Sequence, residues 1–300
     1  MGAQGQMDLS KYLGHDALKL ENLIPLVVRK INGKMKMEKI LQKTPSEDTF
    51  TWFEQIDTSK FDDIRKRAEG AAPGLSVIEY EKHTGSCYRY AEAGDVSEDR
   101  LRFGYEGVSA ITDVTEAITE KLALRVERDI LAELQDTTAH STIGTKDASD
   151  WSTASTATPV DDFVDAEEEI SFDESQGADL VIMGSKDYNY LIRTDQVIQS
   201  RMYTTDVTDK DLYVASLAGV PIIVHRGIYY SSGTRTRLLD TQAIMLNKKA
   251  AKLFEAISVD VSRKIKDDVV PPVIRILISR MLTSKVVKPQ LICLLQSTQS

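Results

Sequence analysis

Cysteine is scarce: only Cys87 and Cys293 occur in 300 residues. That argues against a disulfide framework and against a cysteine-based zinc site. The four histidines, His15, His83, His140 and His225, are scattered. No apolar run approaches membrane-crossing length, since Val220–Val224 and Leu291–Leu295 are strand-sized. The amino-terminal stretch lacks the basic start and apolar core of a secretory signal, so synthesis in the cytoplasm is expected. Basic charge is also short. Lys and Arg total 37 against 46 Asp and Glu, a net charge of −9, which argues against a dedicated nucleic-acid binder. Motifs for nucleotide, hydrolase or metalloprotease chemistry are missing: G-x-x-x-x-G-K-[ST], G-x-S-x-G, H-E-x-x-H and paired C-x-x-C.

What remains is an ordinary globular composition, 42% hydrophobic and 28% charged, long enough for one large domain or two smaller ones. Charge is unevenly placed. From Lys11 to Lys43 cations dominate, whereas Asp161, Asp162, Asp165, Glu167, Glu168, Glu169, Asp173 and Glu174 make the middle acidic. The two stretches could attract each other between subunits, the basic one could face a polyanion, or both could be solvated faces.

Several elements can be read directly. Leu18 to Leu41 is rich in apolar residues but interrupted by Pro25 and Gly33, which predicts an extended arm with short ordered pieces and no stable helix. Phe50–Glu54 alternates like a strand, with Leu75–Tyr80 and Cys87–Tyr90 as its return and a polar tip between. A lone hairpin of this kind is marginal in water, so it should lie on something else. Asp113 with Glu116 has capping-box spacing. Val114, Ile118, Leu122, Val126, Ile130 and Leu134 follow at every fourth residue, predicting a long helix whose contact stripe winds by 40° per step. Ala117, Leu124 and Leu131 widen that face. Pro159 opens an acidic helix with Val160, Phe163, Val164 and Ile170 inward. Leu180–Met183 reads as a buried strand feeding a helix capped by Ser185, and Ala218-Gly219 as a turn into the strand Val220–Val224. The runs Ala243–Leu246, Ala256–Val261 and Val273–Ile278 predict a meandering sheet.

The order of these segments, centred on Asp179–Leu191 and Leu217–Val224, resembles the major capsid proteins of tailed viruses, the Hong Kong 97-type capsid fold. The resemblance implies an α+β subunit divided as follows: an N-terminal arm over residues 1–48, an extended hairpin loop over 49–107 and a spine helix over 108–138. An axial α/β domain would span 139–238, and a peripheral-domain sheet 239–300. It implies a virion protein, assembled in the host cytoplasm into hexameric and pentameric capsomers around double-stranded DNA. Scaffold, portal and cement proteins would be further partners, and no membrane, cofactor or metal is implied. The arm and hairpin would reach neighbouring subunits, making Leu23, Ile24, Val27, Trp52, Phe53, Ile78, Tyr80, Tyr88 and Tyr90 the inter-subunit contact candidates. Two other readings stay open: an encapsulin-type compartment holding cargo enzymes, and a small-molecule enzyme built on the α/β core.

Residues with chemical potential have bland readings beside the functional ones. His83 and Cys87 could pair as a thiolate catalyst or be unremarkable hairpin residues. Adjacent carboxylates at Asp161-Asp162 and Asp267-Asp268 do not converge as acid–base catalysis requires, and Asp161, Asp162 and Asp165 suit a solvated helix start better than a metal. Tyr229-Tyr230 could stack on bases but lacks interleaved basic residues on the same face, so core or subunit contact is expected. His225 reads as a satisfied core or edge histidine. The resemblance also raises a Lys–Asn isopeptide link, with Lys60, Lys66 or Lys82 and Asn247 as candidates.

Overall fold

The computed structural model describes residues 20–34, 36–55, 80–97, 106–174, 176–202, 215–231, 233–266, 273–296 and 298. The tip of the predicted hairpin, with Lys60, Lys66 and Ile78, lies outside these residues, as do Asp267-Asp268. Among the described residues, no helix is long and apolar enough to cross a membrane.

The first described elements are helix α1 (Leu20–Lys34) and a short helix α2 (Met37–Ile40). Strands β1 (Gln42–Pro45), β2 (Thr49–Gln55), β3 (Tyr80–Ser86) and β4 (Tyr88–Ser97) precede the long helix α3 (Glu106–Gln135). Then come β5 (Gly144–Asp147), α4 (Pro159–Glu174), β6 (Leu180–Gly184), α5 (Ser185–Leu191) and α6 (Asp195–Met202). The remaining described elements are β7 (Ser216–Leu217), β8 (Val220–His225), β9 (Ile228–Ser231), β10 (Thr234–Arg237), β11 (Gln242–Leu246), β12 (Ala251–Lys266), β13 (Val273–Val286), a 3-10 turn (Pro289–Leu291) and β14 (Ile292–Gln296).

Two sheets organise these elements. One has six strands in the order β5-β14-β11-β6-β8-β7, the other four in the order β1-β12-β13-β4. Two ribbons, β2-β3 and β9-β10, stand outside both. The strands Ala243–Leu246 and Ala256–Val261 therefore do not share one meander. β11 pairs with β14 and β6 in the six-stranded sheet, and β12–β13 leaves as a long hairpin between β11 and β14. The physical reason lies in burial. Ala243, Ile244, Met245 and Leu246 are each fully buried, as suits a strand covered on both faces, whereas β12 beyond Ala256 alternates between half-buried and exposed. Asn247 ties the junction: its side-chain amide donates to the Gly177 carbonyl at 2.8 Å and its backbone N–H to Leu291 at 3.0 Å.

Helix α3 carries the predicted stripe. Ile118, Leu122, Val126, Ile130 and Leu134 are all at most 4% exposed, while Val114 is partly buried against the core. The pairs Thr119, Ala123, Glu127 and Leu131 follow the same four-residue step beside them. From Ile118 to Leu134 the buried stripe turns through about 160°, so it meets β4, β13 and α1 in succession. Gly94 of β4 permits the approach, because a Cβ there would sit 2.4 Å from the Val114 side chain. Four local expectations need correction. The helix starts at Glu106, so Asp113 lies inside it rather than capping it; Ala117 is exposed. Ser185 does not cap α5, since Gly184 holds the cap position without a side-chain bond. On α4, Phe163 and Ile170 are buried but Val164 is 49% exposed.

The region around Pro25 is the largest correction. Residues 20–34 form a helix with Pro25 inside it, not an extended arm. A proline six residues into a helix forfeits one backbone bond near the amino-terminal end, where few such bonds exist to lose. Leu23, Val27 and Ile31, one every four residues, are 2%, 0% and 2% exposed and pack on α3 and β12. That burial, at about 1.5–3 kcal/mol per side chain, outweighs the missing bond.

Candidate functional site

Catalytic arrangements were sought first among the described residues. Cys87 is buried, with its thiol 3.3 Å from the Ser46 hydroxyl and donating to the Phe254 carbonyl. The His83 ring instead stacks on Trp52 at 5.3 Å. The two residues therefore do not pair. Cys293 is fully buried, and burial pushes its thiol up to about 12, beyond useful nucleophilicity. Asp162 accepts hydrogen bonds from the Ser149 hydroxyl at 2.6 Å and the Trp151 indole at 2.8 Å, closing the loop before α4. Asn247 is 6% exposed and engaged through both side-chain atoms, which removes it as a partner for an isopeptide link.

One buried polar pair does join distant elements. His225, at the end of β8, lies with Nε2 2.7 Å from Glu127 Oε2 of α3. The Gly227 N–H donates to His225 Nδ1, which leaves the imidazole proton on Nε2 to be donated to the carboxylate. Glu127 also accepts the Met37 N–H at 2.9 Å. Strand β8, helix α3 and the start of α2 are thus pinned at one point, and every polar atom of the pair has structural work. A second pin is ionic. Arg280 of β13, 1% exposed, makes two hydrogen bonds to Glu38 at 2.9 and 3.0 Å and one to Glu255 at 2.7 Å. Lys43 also contacts Glu38. Burial pushes the Glu38 carboxyl up, but hydrogen bonds from Arg280 and Lys43 outweigh it and hold the group below the usual glutamate range.

The recesses hold no convergent chemistry either. A recess of about 700 Å³ between β4 and α3 has its charges already paired, Arg125 with Asp129 and Lys285 with Glu133. Tyr90 lines it half-buried; burial and then the Asp129 charge push its phenol upward. A second recess, about 550 Å³, lies between α3 and the β9-β10 ribbon, with Lys36, Arg226, Arg235 and Tyr230 at its wall.

What the fold leaves open is surface. In the β2-β3 ribbon, Thr49 pairs with Ser86 through to Gln55 with Tyr80. Its base is anchored by aromatic contact: Phe50 stacks on Phe254 of β12 at 4.1 Å, and Trp52 lies 6.2 Å from the same ring. On the other face Phe53 is 56% exposed, and Tyr88, at the ribbon's exit into β4, is 60% exposed.

The contact candidates therefore divide. Phe53, Tyr88 and Ile24 present apolar surface outward, and Trp52 and Tyr90 are half-buried within the chain. Tyr80 is in β3 without a described side chain, and Ile78 is outside the described residues. Leu23 and Val27 are corrected outright: they fill the chain's own core and have no side-chain surface for a neighbour. Sequence reasoning missed Phe254, whose role depends on a pairing with a strand far upstream, and Arg280, whose buried charge no local pattern announces. Arg226, Arg235 and Arg237 flank Tyr229-Tyr230 in the sequence, and the β9-β10 register corrects the expectation that no basic residue shares their face, since Arg235 pairs with Tyr230.

No protein-family model and no curated protein matches this sequence. Solved structures do. A phage-related protein from Bordetella bronchiseptica aligns with a TM-score of 0.67 at 14% identity, covering 91% of this chain and 96% of that one. A virus-like particle from Pyrococcus furiosus aligns at 0.60 and 15% identity, over 92% and 98%. The capsid of the cyanophage P-SCSP1u aligns at 0.61 and 12% identity, over 89% of each. The chain has a mixed helix-and-sheet fold similar to that of phage capsid subunits, along nearly its whole length.

Proposed function

We propose that this protein is a structural shell subunit, the major capsid protein of a tailed virus, which self-assembles around double-stranded DNA. The observation that carries the reading is the shared fold over about nine-tenths of the chain, with large parts of the capsid chains equally covered. In that frame α3 is the spine helix and the β2-β3 ribbon is the extended loop. The six-stranded sheet with α4 to α6 forms the axial domain, and the four-stranded sheet the peripheral one. Because β11 and β14 sit in the six-stranded sheet, the stretch 239–300 is shared between the two units. The mechanism is assembly rather than catalysis. Apolar faces such as Phe53 and Tyr88 are covered by neighbouring copies, at about 25 cal/mol per Å² before ordering costs, and repetition round a closed shell multiplies each modest contact. Hexamers and pentamers would be the rings, with non-specific proximity to DNA inside.

Negative-stain microscopy of the chain expressed alone tests this. Shells, tubes or ring-shaped capsomers are expected, and a compact monomer at all concentrations overturns the reading. The likeness to a virus-like particle supports a second reading, an encapsulin-type compartment. Contents separate the two: purified shells carrying one enzyme instead of nucleic acid identify the compartment.

A further inference from the structure

We propose that copies of this chain join head to tail through two oppositely charged patches that its own fold holds apart: a cationic face on the β9-β10 ribbon and an acidic stripe on α4. This deepens the shell reading and rests on it.

The cationic face follows from register. Tyr230 pairs with Arg235 and Ile228 with Arg237, and side chains alternate along each strand. Ile228, Tyr230, Arg235 and Arg237 therefore share one face of the ribbon. Tyr230 is 74% exposed, and Arg226 stands just before the ribbon and is itself exposed. Among the described residues, Arg226, Arg235 and Arg237 have no carboxylate partner. Lys36 adds to the excess: burial, and after it the Arg226 charge, lower its ammonium pKa, and Glu127 offsets this only in part. Glu120 and Glu127 of α3 line the recess behind this face, and Lys36 with the three arginines outnumbers them around one exposed aromatic ring.

The acidic stripe follows from helical spacing. Asp161, Val164, Asp165 and Glu168 lie at i, i+3, i+4 and i+7 on α4, and all four are exposed. None of the three acids is in an ion pair among the described residues; the nearby Lys146 is bound to Glu169 at 2.9 Å. Val164 is thus an apolar side chain set among these charges, 49% exposed.

The fold prevents these patches from neutralising each other within a chain. Helix α4 packs on β5 and β14, at one edge of the six-stranded sheet, whereas the ribbon continues from β8 near the other edge. From β5 to β8 there are four strand spacings, about 19 Å. A two-fold contact centred on either patch would set like charge against like. A head-to-tail contact sets Arg226 and Arg235 of one copy against Asp165 and Glu168 of the next, with Tyr230 near Val164. Contacts of that type close into rings where the rotation between copies closes, and run on as filaments where it does not.

Charge reversal tests the proposal. Arg226→Glu with Arg235→Glu makes both patches acidic; Asp165→Lys with Glu168→Lys makes both basic. All four positions are exposed, so each double variant should keep the wild-type thermal midpoint. Each should raise the concentration needed for assembly at least about ten-fold, read by sedimentation and microscopy. Mixed in equal amounts, the two variants should assemble again, in rings of even membership. The four-residue swap in one chain should also assemble. Wild-type shells with unaffected reversal variants overturn the contact and leave the shell reading intact. Reversals that fail and are rescued neither by mixing nor by the swap also overturn the contact. Loss of bound DNA by the arginine variant, with assembly unchanged, reassigns the cationic face to nucleic acid and overturns it too. A wild-type chain that never leaves the monomer removes the shell reading and this contact together.

Discussion

Helix α1 and the β2-β3 ribbon both carry apolar residues with no complete element of their own to rest on, yet the fold treats them oppositely. Leu23, Val27 and Ile31 sink completely between α3 and β12. Among the described residues the ribbon is held at its root, by Phe50 and Trp52 against Phe254, and leaves Phe53 in solvent. The difference is one of period. Apolar residues every four positions on α1 line up as one face, which a neighbouring helix can cover. The strand alternation of β2 gives two faces, and β12 can cover only one of them.

That comparison can be broken most severely by removing the ribbon. Replacing Phe50–Gly85 with a short Gly/Ser linker should abolish shells and rings while the rest of the chain keeps its cooperative unfolding, measured by calorimetry. Loss of folding would show that the ribbon belongs to the core. Next in size is Arg280→Met, which strands the buried Glu38 and should cost about 3–5 kcal/mol in denaturant unfolding. Leu23→Ala should cost about 2–5 kcal/mol, because it opens a cavity under α1; a near-zero value would return this helix to the status of a dependent arm.

Acid provides a gentler probe of the same anchoring. Glu38 is held below its ordinary value of 4.5, so its contribution is complete above that pH and is lost as pH falls through the lower folded value. Wild-type stability should therefore drop on acidification below about pH 5, and Glu38→Gln should flatten that limb. It should not abolish it, since hydrogen bonds from His140 and Lys285 outweigh burial and lower the Glu133 carboxyl as well. The smallest effect on the isolated chain belongs to Phe53→Ser, within about 0.5 kcal/mol in unfolding. Its expected consequence is weaker assembly, seen as a higher concentration threshold for particles.

Particular residues show how far the sequence could be read. The stripe from Ile118 to Leu134 was legible because every partner of that face is met through one helical period. The strand Leu180–Gly184, the helix after it and the turn at Ala218-Gly219 were legible too. Both turn residues have positive φ, 50° and 85°, as a two-residue hairpin connection between paired strands requires. Element ends were not legible. The Asp113 capping signal was overridden because the helix already runs through Ile111, two residues earlier and buried in the core. Sheet membership failed at β11, because pairing between Ala243 and Leu295 depends on residues that an intervening long hairpin separates. At the candidate surface, Phe53 and Tyr88 were identifiable as apolar residues on an exposed ribbon. Leu23 and Val27 were misjudged because Pro25 was weighed as a helix breaker without the burial that compensates for it.

The insertion of the β12–β13 hairpin between two hydrogen-bonded neighbours has a mechanical consequence. A pull on that hairpin's far end reaches β11 at Leu246 and β14 at Ile292, which are partners, so both strands are drawn the same way and the load falls along the ladders to their outer neighbours, β6 and β5. Shearing such a ladder requires its bonds to fail at once rather than one by one. The two sheets are therefore coupled as a stiff lever and its clamp, and strain arriving at the rim of one is felt at the centre of the other.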